Sequence, residues 1–406
     1  MNPGSIPLSV VELPRRTPEL GALLERWCAI NSGSGHAAGL ERMRVVLQEE
    51  FSRAFPAATI TVLNADAPGY NPAGVKAVRI RLRPEAPHQV FLCGHYDTVF
   101  EADDTFQQCR WLDADTLNAP GSVDMKGGLV AMLVALEAFE QTPHAERIGW
   151  EVLLTPDEET GSHGTRTMFE QAAREHHFGF VFEPGRTNGD IIHSRKGTGG
   201  VVATCHGRAA HAAKVPNDGK NAILALAEFL LAAAKIPAGL PGVLVNIGNI
   251  RGGAAATNVV PHFAQAEIDV RVTKLSDREP LFAQFQELAD QINQREGLKI
   301  ELKCWLNRPP KENLPAEAVV FPAWQQAARD LGFAPVNWVH GGGGSDGNFI
   351  SAAGMPNFDG IGPIGDQLHS DREFCRVSTM ASRAQIVALF LHRVASGEIV
   401  LAPRVP

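Results

Sequence analysis

Three short apolar runs punctuate the first half of the chain: QVFLCG at 89–94, GWEVLLT at 149–155 and FGFVF at 178–182. Each is nearly continuous instead of alternating, as strands buried on both faces of a parallel sheet require. Between the first two, KGGLVAMLVALEAFEQ at 126–141 repeats apolar residues at helical spacing after a glycine pair, which predicts a β-α-β unit. Near the carboxyl end, TMASRAQIVALFLHRVA at 379–395 reads as a closing amphipathic helix, and PAEAVVFPAWQQAARDLG at 315–332 as another that Pro322 interrupts early. The middle follows a different order: strand 199–207, helix 217–236, strands 242–250 and 263–272, helix 277–294, strand 298–305. That β-α-β-β-α-β succession is a split, ferredoxin-like unit. The fold expected is therefore α/β, with an α/β/α domain of mainly parallel central sheet over 1–196 and 309–406. An α+β ferredoxin-like domain is inserted over 197–308, and glycine and proline in SRKGTGG and NRPPKEN mark its boundaries.

Composition supports two domains, because 406 residues at 44% hydrophobic exceed what one core organises. With 37 basic against 45 acidic side chains and no Lys/Arg run, a nucleic-acid partner is not expected. The amino-terminal stretch lacks a basic segment leading into a long apolar one, and no apolar run is long enough to span a bilayer, so neither secretion nor a membrane is expected. Six cysteines, at 28, 93, 109, 205, 304 and 375, form no C-x-x-C pair and sit mostly in apolar stretches. Buried, reduced thiols in a cytoplasmic protein are the reading that follows.

The chemistry gathers where the predicted strands stop. In open parallel sheets, ligands bind in the crevice outside the carboxyl ends of the strands. His95 and Asp97 follow the first run, Asp157, Glu158 and Glu159 the second and Glu183 the third, while Asp124 lies just ahead of the glycine-led helix. A single acidic pair is ordinarily a solvated loop. Three successive strand ends terminating in His or carboxylate form a pattern, and carboxylates so gathered repel unless a multivalent cation neutralises them. Histidine with carboxylates suits zinc, or cobalt and manganese, and a pair of such ions needs a bridging ligand, for which Asp124 is the natural residue. Residues i and i+2 of an extended segment point the same way, so Asp97 can orient His95. Of the neighbours Glu158 and Glu159, one can ligate while the other stays free as a base.

The motifs HYDTV, GSVDMKGG, TPDEETGS, FEPG, GRAAHAA, GGGSDG and LHSDREF, in that order, resemble the dizinc metallohydrolases that include glutamate carboxypeptidases, acetylornithine deacetylase, succinyl-diaminopimelate desuccinylase and aminoacylases. The resemblance spans nearly the whole chain and is nearest to the folate-cleaving glutamate carboxypeptidases. It implies that His95, Asp124 and Glu183 hold one zinc and Asp124, Glu159 and His369 the other, with Co2+ or Mn2+ as substitutes. It makes Glu158 the general base, has Asp97 orient His95, and implies a cis peptide between Asp124 and Met125. The inserted domain becomes a lid and dimerisation domain. His211 would stabilise the oxyanion in the partner subunit's site of a homodimer, with Asn258 as its companion. Arg308 and Arg271, with the backbone of Gly344, would hold a substrate carboxylate; an arginine fork suits that task.

The expected reaction is thus hydrolysis of an amide bond in a small peptide, releasing a glutamate-type C-terminal amino acid, with hinges near 196 and 309 closing the site. The alternative is a deacylase acting on an N-acyl amino acid; a remote one is a non-catalytic metal-binding protein. His163, His176, His177, His193, His206, His262 and His340 are expected on the surface or in loops.

Overall fold

The computed structural model describes residues 6–65, 75–214, 218–254 and 256–404. The chain divides into two compact units, one comprising 1–194, 313–341 and 345–406, the other 195–312 and 342–344.

The larger unit is built on an eight-stranded sheet. At its centre, strand His88–His95 runs parallel to Ile148–Thr155 on one side and Phe178–Val181 on the other, and Asn357–Asp359 continues the parallel set. Antiparallel strands Lys76–Leu82 and Thr59–Asn64 extend one edge. Side chains alternate across the central strand: Val90 and Leu92 enter the large core beneath helices Thr17–Cys28, Ala37–Ala54, Gly127–Glu140 and Ser378–Ser396. Phe91 and Cys93 enter a second core with Phe169, Phe349 and Ile350, under helices Arg166–Glu175 and Gly347–Ala352. Burial on both faces is why the run is apolar throughout. The three-layer α/β/α arrangement matches the sequence expectation.

The helix Gly127–Glu140 is buried nearly all round, and its start lies against the end of a strand. A Cβ on Gly128 would stand 2.2 Å from the carbonyl oxygen of Phe182, so only glycine permits that approach.

The smaller unit is an antiparallel sheet in the order Leu244–Gly252, Phe263–Val272, Gly197–His206, Lys299–Arg308, with helices Ala222–Ala233 and Arg278–Asn293 supplying its core. This is the ferredoxin-like order. Its first helix starts later than the spacing predicts, because the Asn221 side chain accepts from the N–H groups of Ile223 and Leu224 and caps it there; residue 217, the expected start, lies outside the described residues.

One expectation fails. Pro322 does not interrupt its helix, which runs unbroken over Pro315–Asp330. The lost hydrogen bond is outweighed by the seating of Val320, Trp324, Ala327 and Ala328 in the core. His176 lies in the loop just after the helix Arg166–Glu175, one of its two expected placements, yet is only 3% exposed, with Nδ1 2.8 Å from the Ala172 carbonyl and Nε2 3.8 Å from Glu151. Glu151 is itself buried and engaged by Arg79 and Arg81. Burial pushes the His176 imidazole down to about 4, against the hydrogen bond to Ala172. A base whose folded pKa lies below its unfolded value near 6.5 costs stability as pH falls from 6.5 towards 4, by roughly 3 kcal/mol in all. Urea denaturation with chelator present at pH 4.5 and 7 should show a steeper acid loss for the wild type than for His176→Gln; equal losses would assign the acid sensitivity elsewhere.

All six cysteines are free thiols, and no helix among the described residues is long and apolar enough to cross a membrane.

Candidate metal centre

The three parallel strands deliver their carboxyl ends side by side. His95 is the last residue of its strand and almost fully buried; Glu183 follows Val181 by two positions; Glu158 and Glu159 follow the strand ending at Thr155. Asp124 comes from the turn Ser122–Lys126 ahead of the buried helix, and its peptide bond to Met125 is cis, as expected. His369 comes from far along the chain, in a hairpin between the short strands Gly365–Asp366 and Phe374–Arg376.

These groups converge. Asp124 Oδ1 lies 3.2 Å from His95 Nε2, which is itself 3.9 Å from Glu183 Oε1. Asp124 Oδ2 lies 3.4 Å from His369 Nε2, and His369 is also 3.4 Å from Glu159 Oε2. One carboxylate therefore turns one oxygen to each of two histidine-carboxylate pairs. Ligand atoms of His95, Asp124 and Glu159 all fall within 4.8 Å of one another. Imidazole nitrogens and carboxylate oxygens in this mixture suit a divalent cation such as zinc.

Electrostatics show how poorly the cluster stands without positive charge. Burial, helped by the Asp124 charge, pushes Glu159 up to about 7. Burial also opposes the Asp124 anion, yet hydrogen bonds from His369 and His95 hold its carboxyl well below the usual range. The His369 imidazolium is pushed up to about 10 by Asp124 and Glu159. Protons thus occupy positions from which a cation would displace them.

Asp97 is fully buried and has two tasks. Its main-chain carbonyl is 3.0 Å from His95 Nδ1 and its carboxylate 3.4 Å away, which leaves Nε2 to face Asp124. The same carboxylate accepts from the N–H groups of Glu158 and Glu159 and from the Ser34 hydroxyl, so it also fixes the acidic loop. The second task was not legible from the i, i+2 spacing. Asp157 turns away from the cluster and shapes its own loop, accepting from Gly164 N–H and the Thr165 hydroxyl, and burial pushes it up to about 6. Asp346 is buried behind the loop, accepting from the hydroxyls of Ser162 and Thr155. Glu373 is fully buried, and burial pushes it up to about 8.

The remaining expected residues belong to the smaller unit. His211 and Asn258 are exposed neighbours on adjoining segments, bridged through His211 and Val259, with side chains 3.5 Å apart. Arg271 and Arg308 stand on one row across the sheet, each paired with Thr198. Arg308 is buried, and a Cβ on Gly344 would lie 3.1 Å from its side chain. Arg271 is committed differently, with Nε 2.9 Å from the Asp269 carboxylate.

The model of Peptidase family M20/M25/M40 matches residues 91–393, which contain every site residue expected from the sequence. The chain belongs to this family. Carboxypeptidase G2 of Pseudomonas sp. (strain RS-16) is 23% identical over 94% of this chain and 90% of its own length. Succinyl-diaminopimelate desuccinylase of Paracidovorax citrulli (strain AAC00-1) is 33% identical over 68% of this chain and 72% of its own. Among solved structures, aminopeptidase PepT from Bacillus cereus superposes with a TM-score of 0.78 at 21% identity, covering 93% of this chain and 99% of that one. The M20 family metallo-carboxypeptidase Sso-CP2 from Sulfolobus solfataricus gives 0.69 at 15% identity, covering 93% and 99%. Membership makes this chain a metal-dependent hydrolytic enzyme, which removes the non-catalytic alternative.

Proposed function

We propose that the chain is a dizinc amidohydrolase that releases a glutamate-type amino acid from the carboxyl end of a small peptide or N-acyl substrate. The observation that carries the reading is the division of Asp124, with one oxygen at His95, which Glu183 also approaches, and the other at His369, which Glu159 also approaches. Those five residues would hold two zinc ions, with Co2+ or Mn2+ as substitutes. Bound there, the ions supply Lewis-acid polarisation of the scissile carbonyl and acidify a water.

The chain's own residues do the rest. Glu158 takes a proton from the attacking water and delivers it to the leaving amine. Asp97 keeps the His95 ring in the tautomer that presents Nε2 inward. His211, with Asn258 beside it, donates to the developing oxyanion. Arg308, seated against Gly344, receives the substrate carboxylate; Arg271 is the weaker candidate because Asp269 already engages it.

A homodimer through the smaller unit belongs to this reading. Leu224 and Leu231 are exposed seven residues apart on one helix, 64% and 70% accessible, and strand Leu244–Gly252 is a sheet edge carrying exposed Leu244 and Ile250. Exposed edges of this kind are ordinarily covered. Six free thiols support a reducing compartment, the cytoplasm.

Carboxypeptidase G2, matched over 94% of the chain, favours the carboxypeptidase reading, and the 33% identical desuccinylase favours a deacylase. The two differ in which half of the substrate is read. Zinc-loaded protein should release amine from N-benzoyl-glutamate and spare its α-amide; turnover confined to N-acetyl or N-succinyl amino acids would replace the carboxypeptidase reading with the deacylase one.

A further inference from the structure

Glu373 and Asn118 have no part in the reaction as proposed, yet they join the two segments of the site that no long strand supports. The buried Glu373 carboxylate accepts three backbone N–H bonds from the Asp124 turn: Oε1 from Val123 at 2.9 Å and from Asp124 itself at 3.1 Å, and Oε2 from Gly121 at 3.2 Å. Asn118 Nδ2 donates to the carbonyl of Glu373 at 2.7 Å and to that of Asp371 at 3.1 Å. A small sheet completes the join. Strand Thr116–Asn118, which leads into the Asp124 turn, pairs with Phe374–Arg376, which closes the hairpin carrying His369.

The site needs such a join on one side only. His95 ends a strand buried on both faces, and Glu183 follows another. His369 sits in a hairpin loop at φ 60, near Gln367 at φ 62, and its side chain is 55% exposed. A left-handed backbone at a non-glycine residue persists only where its surroundings hold it. The hydrogen bonds of Asn118 and Glu373 hold the end of that loop, and the Glu373 carboxylate holds the backbone of the ligand next to it.

We infer that Glu373, with Asn118, is a positioning residue that keeps Asp124 and His369 in register, so that the ion held by Asp124, Glu159 and His369 depends on it more than the ion at His95 and Glu183. The inference rests on the two-ion reading proposed above. Removing an outer partner of this kind costs about 10- to 100-fold in metal affinity. In Glu373→Gln the amide oxygen still accepts from Val123 and Asp124 while the amide nitrogen faces the Gly121 N–H, so the loss belongs at the lower end of that range. Glu373→Ala belongs at the upper end.

The test is a stepwise Zn2+ titration of the full chain against a chromophoric chelator, for wild type, Glu373→Gln, Glu373→Ala, Asn118→Ala and His369→Ala. His369→Ala marks which step belongs to the His369 position. The expected result is that Glu373→Gln weakens that step about tenfold and leaves the other within about twofold. Unchanged affinities in a folded Glu373→Gln protein, or equal losses in both steps, would overturn the inference. Should Glu373→Ala fail to fold, Glu373→Gln and Asn118→Ala carry the same comparison. A wild-type chain that takes a single ion sinks the two-ion reading instead, and Glu373 then stands or falls on whether that ion's affinity drops in Glu373→Gln.

Discussion

Glu158→Ala should keep its metal and lose turnover by about a hundred- to ten-thousand-fold, the range that a positioned general base contributes. Glu158 lies three residues beyond the strand end at Thr155, and its backbone N–H is tied to the Asp97 carboxylate at 3.2 Å, so the loop holds its backbone in place. Truncation removes the carboxylate while leaving that backbone tie in place. Because the proton moves only in the transition state, kcat and kcat/KM should fall together while KM stays near its wild-type value. Metal content by mass spectrometry separates the two ways of losing activity. A variant that loses its ions along with turnover makes Glu158 a ligand, and one that stays fully active hands the base to another group.

The second large effect is expected in the smaller unit. Leu224→Glu combined with Leu231→Glu places two charges on the exposed stripe of the helix Ala222–Ala233 and should yield a monomer by light scattering. If His211 serves the neighbouring subunit, that monomer loses about a hundred- to a thousand-fold in kcat, the size of losing an oxyanion donor, and matches His211→Ala. Circular dichroism and metal content should not change. A fully active monomer removes the role of His211 across the dimer, a double variant that still dimerises puts the interface elsewhere, and a monomeric wild type removes the homodimer itself.

Much of this site was legible because strand ends are legible. Apolar runs of five to seven residues announced the parallel strands, and the residues after them, His95, Asp97, Glu158, Glu159 and Glu183, could only gather on one edge once those strands paired as neighbours. His369 was different. No periodicity leads to it, since its flanking strands are two and three residues long, and only the likeness of LHSDREF to a known family pointed there. The same short sheet hid Glu373 and Asn118, which no periodicity marks and which only its pairing brings to the Asp124 turn. The burial of His176 was hidden for a related reason: its neighbours in sequence are a helix end and a second histidine, and nothing local reveals that it packs over Phe91 and beside Glu151. Pro322 does not break its helix because Trp324 and its neighbours are buried, which nothing in the local sequence reveals.

The donors that meet at Asp124 come from positions as distant as 95 and 369, and only the finished topology gathers them. Ions held there would be ligands of the native chain alone, so their binding free energy counts in full towards its persistence. At free metal a hundredfold above the dissociation constant, each ion adds about 2.7 kcal/mol. A cell starved of the metal would then lose the protein itself to its proteases, and not just the activity.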